Sequence, residues 1–445
     1  MPAGMSFVVA LVMVAGANHH EPTAHAQSSR PPNVLIILTD DQRAKGTMGV
    51  MDQTRSLFGE GGTKYRNGIA TTPRCCPSRA SIFTGKYVHN HDVRTNSDTP
   101  LLNTTETMQY QLKQAGYATG IVGKYLNAWR ISPPHFDQWA TYQRTGYYNA
   151  VFNYNGTIVD VPGYSTTYVG DKAADVLNNF ESQDDGRPWF MQVSPFAPHG
   201  PAIPEDQYAS SLISSWRDNP ATAETNRRDK PDYIRSSYAR KSKIMLFRER
   251  QLRALMSVDD MVASIFTELE ALGEAGNTLA FFVSDNGFHW YEHRLAGKRL
   301  PYDDSLRVPF YVRWPGHVAA GASDRRIVAN IDFAPTVYAA AGINPTYRPD
   351  GKNVFTSHRR RILTEGFSDS KKPHIPDWRS LWSPGAVYVR YPGLDARGTE
   401  YYTAADKWQL ENVYRDGIRN NTPSNEAKLE RLLNDYSSCR GAGCP

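Results

Sequence analysis

A chain of 445 residues could hold about three average domains, but large α/β folds use the same length for one core and an appendage. With 40% hydrophobic, 11% aromatic and 21% charged residues it can bury a sizeable core, which argues against the disordered and membrane-spanning classes. The formal net charge of +5, spread along the chain, predicts no nucleic-acid partner and is compatible with an anionic substrate.

The first feature is an apolar run from Ser6 to Ala17, followed by a polar stretch and the small-residue pattern Ala24-His25-Ala26. This predicts a secretory leader over residues 1–26, cleaved before Gln27, and hence a secreted (extracellular or periplasmic) protein, although no Lys or Arg precedes the run. No later stretch is apolar for long enough to span a bilayer. Asn33 to Thr39 is then a continuous apolar run ending abruptly in charge, the mark of a strand buried on both faces of a parallel sheet. Ala118 to Val122, Pro188 to Val193, Thr278 to Val283 and Val308 to Val312 read the same way. Between them lie stretches of helical spacing, Thr107 to Gln114 and Leu246 to Leu272. Asp332 to Ala341 carries Pro335 in its first turn and Gly342 just past its end, which is helix punctuation. The basic stretch Arg227 to Arg253 mixes in Asp and Glu, and reads as a solvated helical face sooner than as a polyanion-binding strip. Alternating strands and helices imply an α/β fold, a large, mostly parallel mixed sheet sandwiched by helices.

After about residue 370 the texture changes to Pro, Trp and Ser, then to two short strands, Ala386 to Tyr391 and Thr399 to Tyr402, and a helix near Asn425 to Tyr436. The expected division is a large α/β domain over 27–372 and a small antiparallel sheet with one helix over 373–445.

In open α/β sheets ligands gather at the carboxyl ends of strands. Asp40 and Asp41 follow the first strand, and Asp285 and Asn286 follow the strand ending at Ser284. Three carboxylates and a carboxamide brought together would repel unless a hard cation lay between them, and oxygen ligation suits Ca²⁺ or Mg²⁺. Against this stands the plain role of Asp and Asn in turns and caps, which suffices for either pair alone. Four cysteines occur. Cys439 and Cys444, in a short glycine-rich segment, read as a disulfide pinning the tail, with a metal clip as the rival. Cys75 and Cys76 are adjacent, and as bare residues they would be a vicinal disulfide or two buried thiols.

Cys75, Pro77, Ser78 and Arg79 form the spacing C-x-P-S-R, followed by Thr84-Gly85. Here the chain resembles the sulfatase family of the alkaline phosphatase superfamily. The likeness runs from Asn33 to Gln42 through Ser284 to His289 and on to Tyr402 and Gln409 to Asn412. Cys-Cys-Pro-Ser-Arg, Thr84 to His91 and Gly123 to Asn127 look most like the N-acetylglucosamine-6-sulfatase branch, heparan endosulfatases and arylsulfatase-like bacterial proteins included. The resemblance implies that Cys75 is oxidised to formylglycine (3-oxoalanine) by a formylglycine-generating enzyme. It makes Asp40, Asp41, Asp285 and Asn286 ligands of one Ca²⁺, with the modified Cys75 also reaching the ion. Arg79 would hold the formylglycine hydroxyl and the carboxylates, Lys124 and Lys298 would bind sulfate, and His199 would assist the leaving group.

Many family members carry a second histidine two residues after the lysine matching Lys124, where this chain has Leu126. His289, His89 and His91 are the candidates to replace it or to touch substrate. The expected activity is hydrolysis of a sulfate ester of a carbohydrate or an aryl alcohol. A phosphonate monoester hydrolase or phosphodiesterase of the same superfamily and a non-catalytic binder of sulfated glycans are the alternatives. All of this requires that the four oxygen-bearing residues converge and that position 75 be reachable from solvent.

Overall fold

The computed structural model describes residue 1 and residues 30–127, 129, 131–183, 186–370, 374–394, 398–414 and 423–445. The expected leader and its cleavage point lie outside them. Strand β1 (Asn33–Thr39) is buried at every position and lies in the middle of a ten-stranded sheet. The others are β2 (Thr63–Ile69), β3 (Ala118–Gly123), β4 (Gln138–Arg144), β5 (Ala150–Tyr154), β6 (Thr157–Val161), β7 (Trp189–Ser194), β8 (Thr278–Ser284), β11 (Phe310–Arg313) and β12 (Ala322–Ala329). A two-stranded hairpin, β9 (His289–Trp290) with β10 (Ala296–Gly297), stands beside it. The sheet order is β12-β2-β11-β8-β1-β7-β3-β4-β5-β6. Parallel pairing joins β8, β1, β7, β3 and β4, and separately β2 and β12.

β1 shows why a continuous apolar run is needed there. Alternate residues point to opposite faces, so Leu35 and Ile37 join one core with the helices Ser165–Glu181 and Lys241–Ala271. Val34, Ile36 and Leu38 join another with Cys75–Thr84, Met108–Gln114 and Phe333–Ala341. The five apolar runs all form strands, but the run at Val308 to Val312 is antiparallel to both its neighbours, β8 and β2, and not parallel as expected. Its burial on both faces reports that two layers cover it, and direction leaves no trace in that pattern. β2, β4, β5, β6 and β12 carry no such run; β6 and β12 are the two edges of the sheet and are exposed along much of their length, β12 polar over its first half while β6 leaves Ile158 exposed.

The small sheet has four antiparallel strands in the order β13 (Ile362–Gly366), β14 (Trp378–Ser383), β15 (Ala386–Arg390) and β16 (Glu400–Thr403), so it takes in a strand upstream of residue 373. Leu429 and Leu433 of the helix Glu426–Ser437 pack in its core with Ile362, Trp378 and Trp382. Cys439 and Cys444 are joined as a disulfide. Glu365 of β13 donates its N–H to the Thr71 carbonyl at 2.8 Å, and Tyr302 donates its hydroxyl to Glu400 at 2.8 Å, tying this sheet to the large one.

Candidate active site

Strand register builds the centre of the site. Thr39 of β1 lies opposite Ser284 of β8 in parallel pairing, so the residues that follow each strand emerge side by side. Asp285 donates its N–H to the Thr39 carbonyl at 3.1 Å, Asp41 donates its N–H to Asp285 Oδ1 at 3.2 Å, and Asn286 Nδ2 donates to Asp41 Oδ1 at 2.7 Å. Asp41 holds φ 70°, a left-handed turn that brings its side chain round to Asp40. One carboxylate oxygen from each of Asp40, Asp41 and Asp285 lies within 4.8 Å of the others. All four residues are buried.

The helix Cys75–Thr84 begins at this cluster and ends at Gly85, whose φ of 65° supplies the left-handed cap. Cys75 Sγ lies 3.6 Å from Asp40 Oδ1 and 2.8 Å from Lys298 Nζ. One turn on, Arg79 donates from Nε to Asp285 Oδ2 at 2.8 Å and from Nη1 to the Lys124 carbonyl at 2.7 Å. Cys75 and Cys76 are both free thiols, not a vicinal disulfide. Burial drives the Cys76 thiol up to about 12, and its sulfur accepts from the Asn127 N–H at 3.1 Å, so it belongs to the core. Cys75 itself is only 1% exposed, which does not meet the expectation that position 75 be reachable from solvent; the side chains beside it, His199 and Lys298, are 32% and 14% exposed.

Lys124 follows β3 through Gly123, which turns at φ 97° with its Cα so close to Ser194 that a Cβ would stand 2.0 Å from the Ser194 carbonyl oxygen. That turn lets Lys124 donate its N–H to the same carbonyl at 2.7 Å and swing its ammonium onto Asp40. Gly123→Ala is therefore expected to cost about 2–4 kcal/mol of stability, read as a lowered denaturant midpoint, and to displace Lys124. Lys298 sets its ammonium on Asp41 and, at 3.1 Å, on Asn286 Oδ1. Burial opposes the charge on both lysines, yet Asp40 for Lys124 and Asp41 with Cys75 for Lys298 raise their ammonium groups above the usual range. Asp40 is held well below the usual carboxylate range, because Lys124, His199 and Arg79 together outweigh its burial. Asp285 is pushed the other way by burial and by Asp40.

His199 follows β7. Its Nδ1 faces the Gly200 carbonyl at 2.7 Å and its Nε2 lies 3.9 Å from Asp41 Oδ2. Burial disfavours its charge, but Asp40 and Asp41 prevail and raise its pKa to about 9. The other histidines lie elsewhere. His289 is fully buried, burial lowers its pKa to about 3, and its Nδ1 meets the Gly297 carbonyl at 3.2 Å and the Ser305 hydroxyl at 3.0 Å, so it props the Lys298 loop and its contacts do not include the cluster. His89 pairs with Glu365, and buried His91 meets Ser81. Leu126 is in the core.

The donor set fits a hard divalent cation: three carboxylates and a carboxamide, oxygens throughout, at one point on the sheet edge. Arg79, Lys124 and Lys298 bring three positive charges to the same place, which favours an anion next to that cation. Sequence reasoning missed Arg74, Arg299 and Asp369. Asp369 accepts from Arg74, just before Cys75, and from Arg299 at 3.0 Å, just after Lys298, joining the helix start to the lysine loop. The two arginines flank motif residues and were within reach of inspection; Asp369 stands in no motif.

The sulfatase family model matches residues 32–343. The Extracellular sulfatase SULF-1 homolog of Drosophila melanogaster is 34% identical over 370 residues, covering 78% of this chain and 33% of that protein. A Caenorhabditis elegans homologue is matched over 48% of its length, so the chain spans about a third to a half of these relatives. Human N-acetylglucosamine-6-sulfatase is 32% identical over 401 residues, 81% of this chain and 71% of that protein. Among solved structures, one in complex with its substrate D-glucosamine-2-N,6-O-disulfate superposes with a TM-score of 0.77 at 21% identity, covering 91% of this chain and 97% of that one. The phosphonate monoester hydrolase of Agrobacterium radiobacter gives 0.72 at 20% identity, with 91% and 96% covered, so fold alone does not separate the two chemistries. With the family model laid over most of its length and relatives above 30% identity aligned through more than three quarters of it, the chain belongs to the sulfatase family.

Proposed function

We propose that this chain is an exported sulfuric ester hydrolase acting on sulfated carbohydrate, with Cys75 matured to formylglycine and one Ca²⁺ held by Asp40, Asp41, Asp285 and Asn286. The observation that carries the reading is the meeting of Cys75, at a helix start, with an all-oxygen cluster and two lysines. When present, the ion supplies positive charge beside the nucleophile and the ester oxygens. A hydrated aldehyde at position 75 offers two hydroxyls on one carbon, one to attack sulfur and the other to lose its proton and expel sulfate; a serine or thiol would be left holding a stable ester.

The remaining residues act on charge and protons. Lys124 and Lys298 stand on either side of the carboxylates and neutralise sulfate oxygens that gain charge during transfer. Arg79 clamps Asp285 and the Lys124 backbone, which fixes the helix start against the cluster. His199, with Nδ1 turned to the Gly200 carbonyl, presents Nε2 to the site and donates the proton that the departing sugar oxygen needs. With Leu126 in the core, this role falls to one histidine.

The phosphonate reading shares this fold, and substrate comparison separates the two. Nitrophenyl sulfate is expected to be turned over at least about 100-fold faster, by kcat/KM, than a nitrophenyl phosphonate monoester, a difference of about 2.7 kcal/mol in transition-state binding. The reverse order would assign the chain to phosphonate chemistry.

A further inference from the structure

A second cationic site lies away from the cluster. A cleft of about 410 Å³ is lined by Lys352, Arg359, Arg360, Arg361, Tyr436 and Pro445, the last residue of the sequence, among others, and among the described residues no acidic side chain lines it. Arg359 anchors it from below: its side chain is 1% exposed and both its terminal nitrogens bind Asp332, one at 2.8 Å. The Nε of that buried guanidinium has no partner. Among the described residues, the side chains of Lys352, Arg360 and Arg361 make no hydrogen bond or ion pair. Asp332, the one carboxylate in contact with these cations, is already consumed by Arg359.

Apart from Arg359, whose buried pair with Asp332 is structural, this group of like charges destabilises itself, and no contact in the fold accounts for Lys352, Arg360 and Arg361. Burial and the Arg359 charge both lower the Lys352 ammonium below its usual range. An arrangement that costs stability and is shaped as a cleft is the mark of a ligand that brings the missing negative charge. Forked arginines favour the flat, multi-oxygen faces of sulfate groups, and the half-buried Tyr436 ring offers a surface for sugar.

We propose that this cleft is a non-catalytic docking site for sulfated oligosaccharide, the polymeric form of the substrate class argued above, on which this inference rests. The helix that starts at Cys75 ends at Gly85, whose carbonyl accepts the N–H groups of Asp350 and Gly351 at 2.9 Å each, next to Lys352. Ten helical residues span about 15 Å, so Gly85, which holds the segment leading to the cleft, stands roughly that far from the nucleophile. A second contact on the same polymer raises its local concentration at the catalytic centre.

The test is the triple variant Lys352→Gln, Arg360→Gln, Arg361→Gln of the full mature chain, with a heparin-derived sulfated hexasaccharide as the probe, titrated at low and physiological salt. Binding is expected to weaken about tenfold or more and to lose much of its salt dependence, while turnover of nitrophenyl sulfate stays within about twofold and the thermal midpoint holds or rises. Unchanged hexasaccharide affinity overturns the inference, as does equal affinity of the parent chain for the desulfated sugar or for polyphosphate. A lowered thermal midpoint overturns it too, since the cations would then be structural. If neither protein cleaves nitrophenyl sulfate but only the parent binds the hexasaccharide, the docking site stands and the hydrolase reading falls.

Discussion

Cys75→Ala is expected to lower sulfate-ester turnover by about 10⁵-fold while moving the thermal midpoint by only a few degrees. The large effect follows from the division of labour in the site. In the mechanism proposed above every other group there, Lys124, Lys298, Arg79 and His199, would stabilise charge or move a proton; position 75 alone, at a helix start between Asp40 and Lys298, would form a bond to sulfur. The small effect on stability follows from size, because the alanine removes only the oxygen of a formylglycine, or the sulfur of an unconverted cysteine, and leaves a small gap either way. Cys75→Ser separates the aldehyde from any simple nucleophile: one hydroxyl can accept the sulfuryl group but has no second hydroxyl to eject it, so a single rapid turnover followed by arrest is expected. The peptide spanning Cys75 in the active protein should have the mass of an aldehyde and not of a thiol. Normal steady-state turnover by the alanine variant would sink the mechanism.

How far the site could be read in advance depended on which residues announce themselves. Asp40, Asp41, Asp285 and Asn286 were legible because two apolar runs end in them, and the register of β1 on β8 turns adjacency in the pattern into adjacency in space. Position 75 was legible only through its motif. Its near-complete burial was not, since the cover comes from Lys298 and His199, which reach it from hairpin and loop segments far along the chain. Strands β5 and β6 escaped for a different reason. They pair antiparallel beside β4 at one margin of the sheet; each is only five residues long and mixes apolar with polar residues, β5 buried and β6 mostly exposed, so neither leaves a long apolar run. His289 stands beside an Asp-Asn pair, which invites a chemical role, and in the fold its Nδ1 meets the backbone of the loop that carries Lys298.

Removal of the cation is expected to have the second largest effect. Exhaustive dialysis against a chelator should cut turnover by about 10³-fold, and millimolar Ca²⁺ should restore it. The argument begins with charge: three carboxylates crowd one point, and the ammonium groups of Lys124 and Lys298 already lie on Asp40 and Asp41. A readout independent of activity follows. Ca²⁺ at about 100 times its dissociation constant should add about 2.7 kcal/mol to the stability of the folded chain, seen as a raised thermal midpoint. Asp285→Asn should abolish that rise, because it removes a charge from the ligand set and leaves the Arg79 guanidinium, now paired with Asp285 at 2.8 Å, without its carboxylate. A chain whose midpoint ignores millimolar Ca²⁺, and whose dialysed form keeps full turnover, would show that these four residues only shape the end of the sheet.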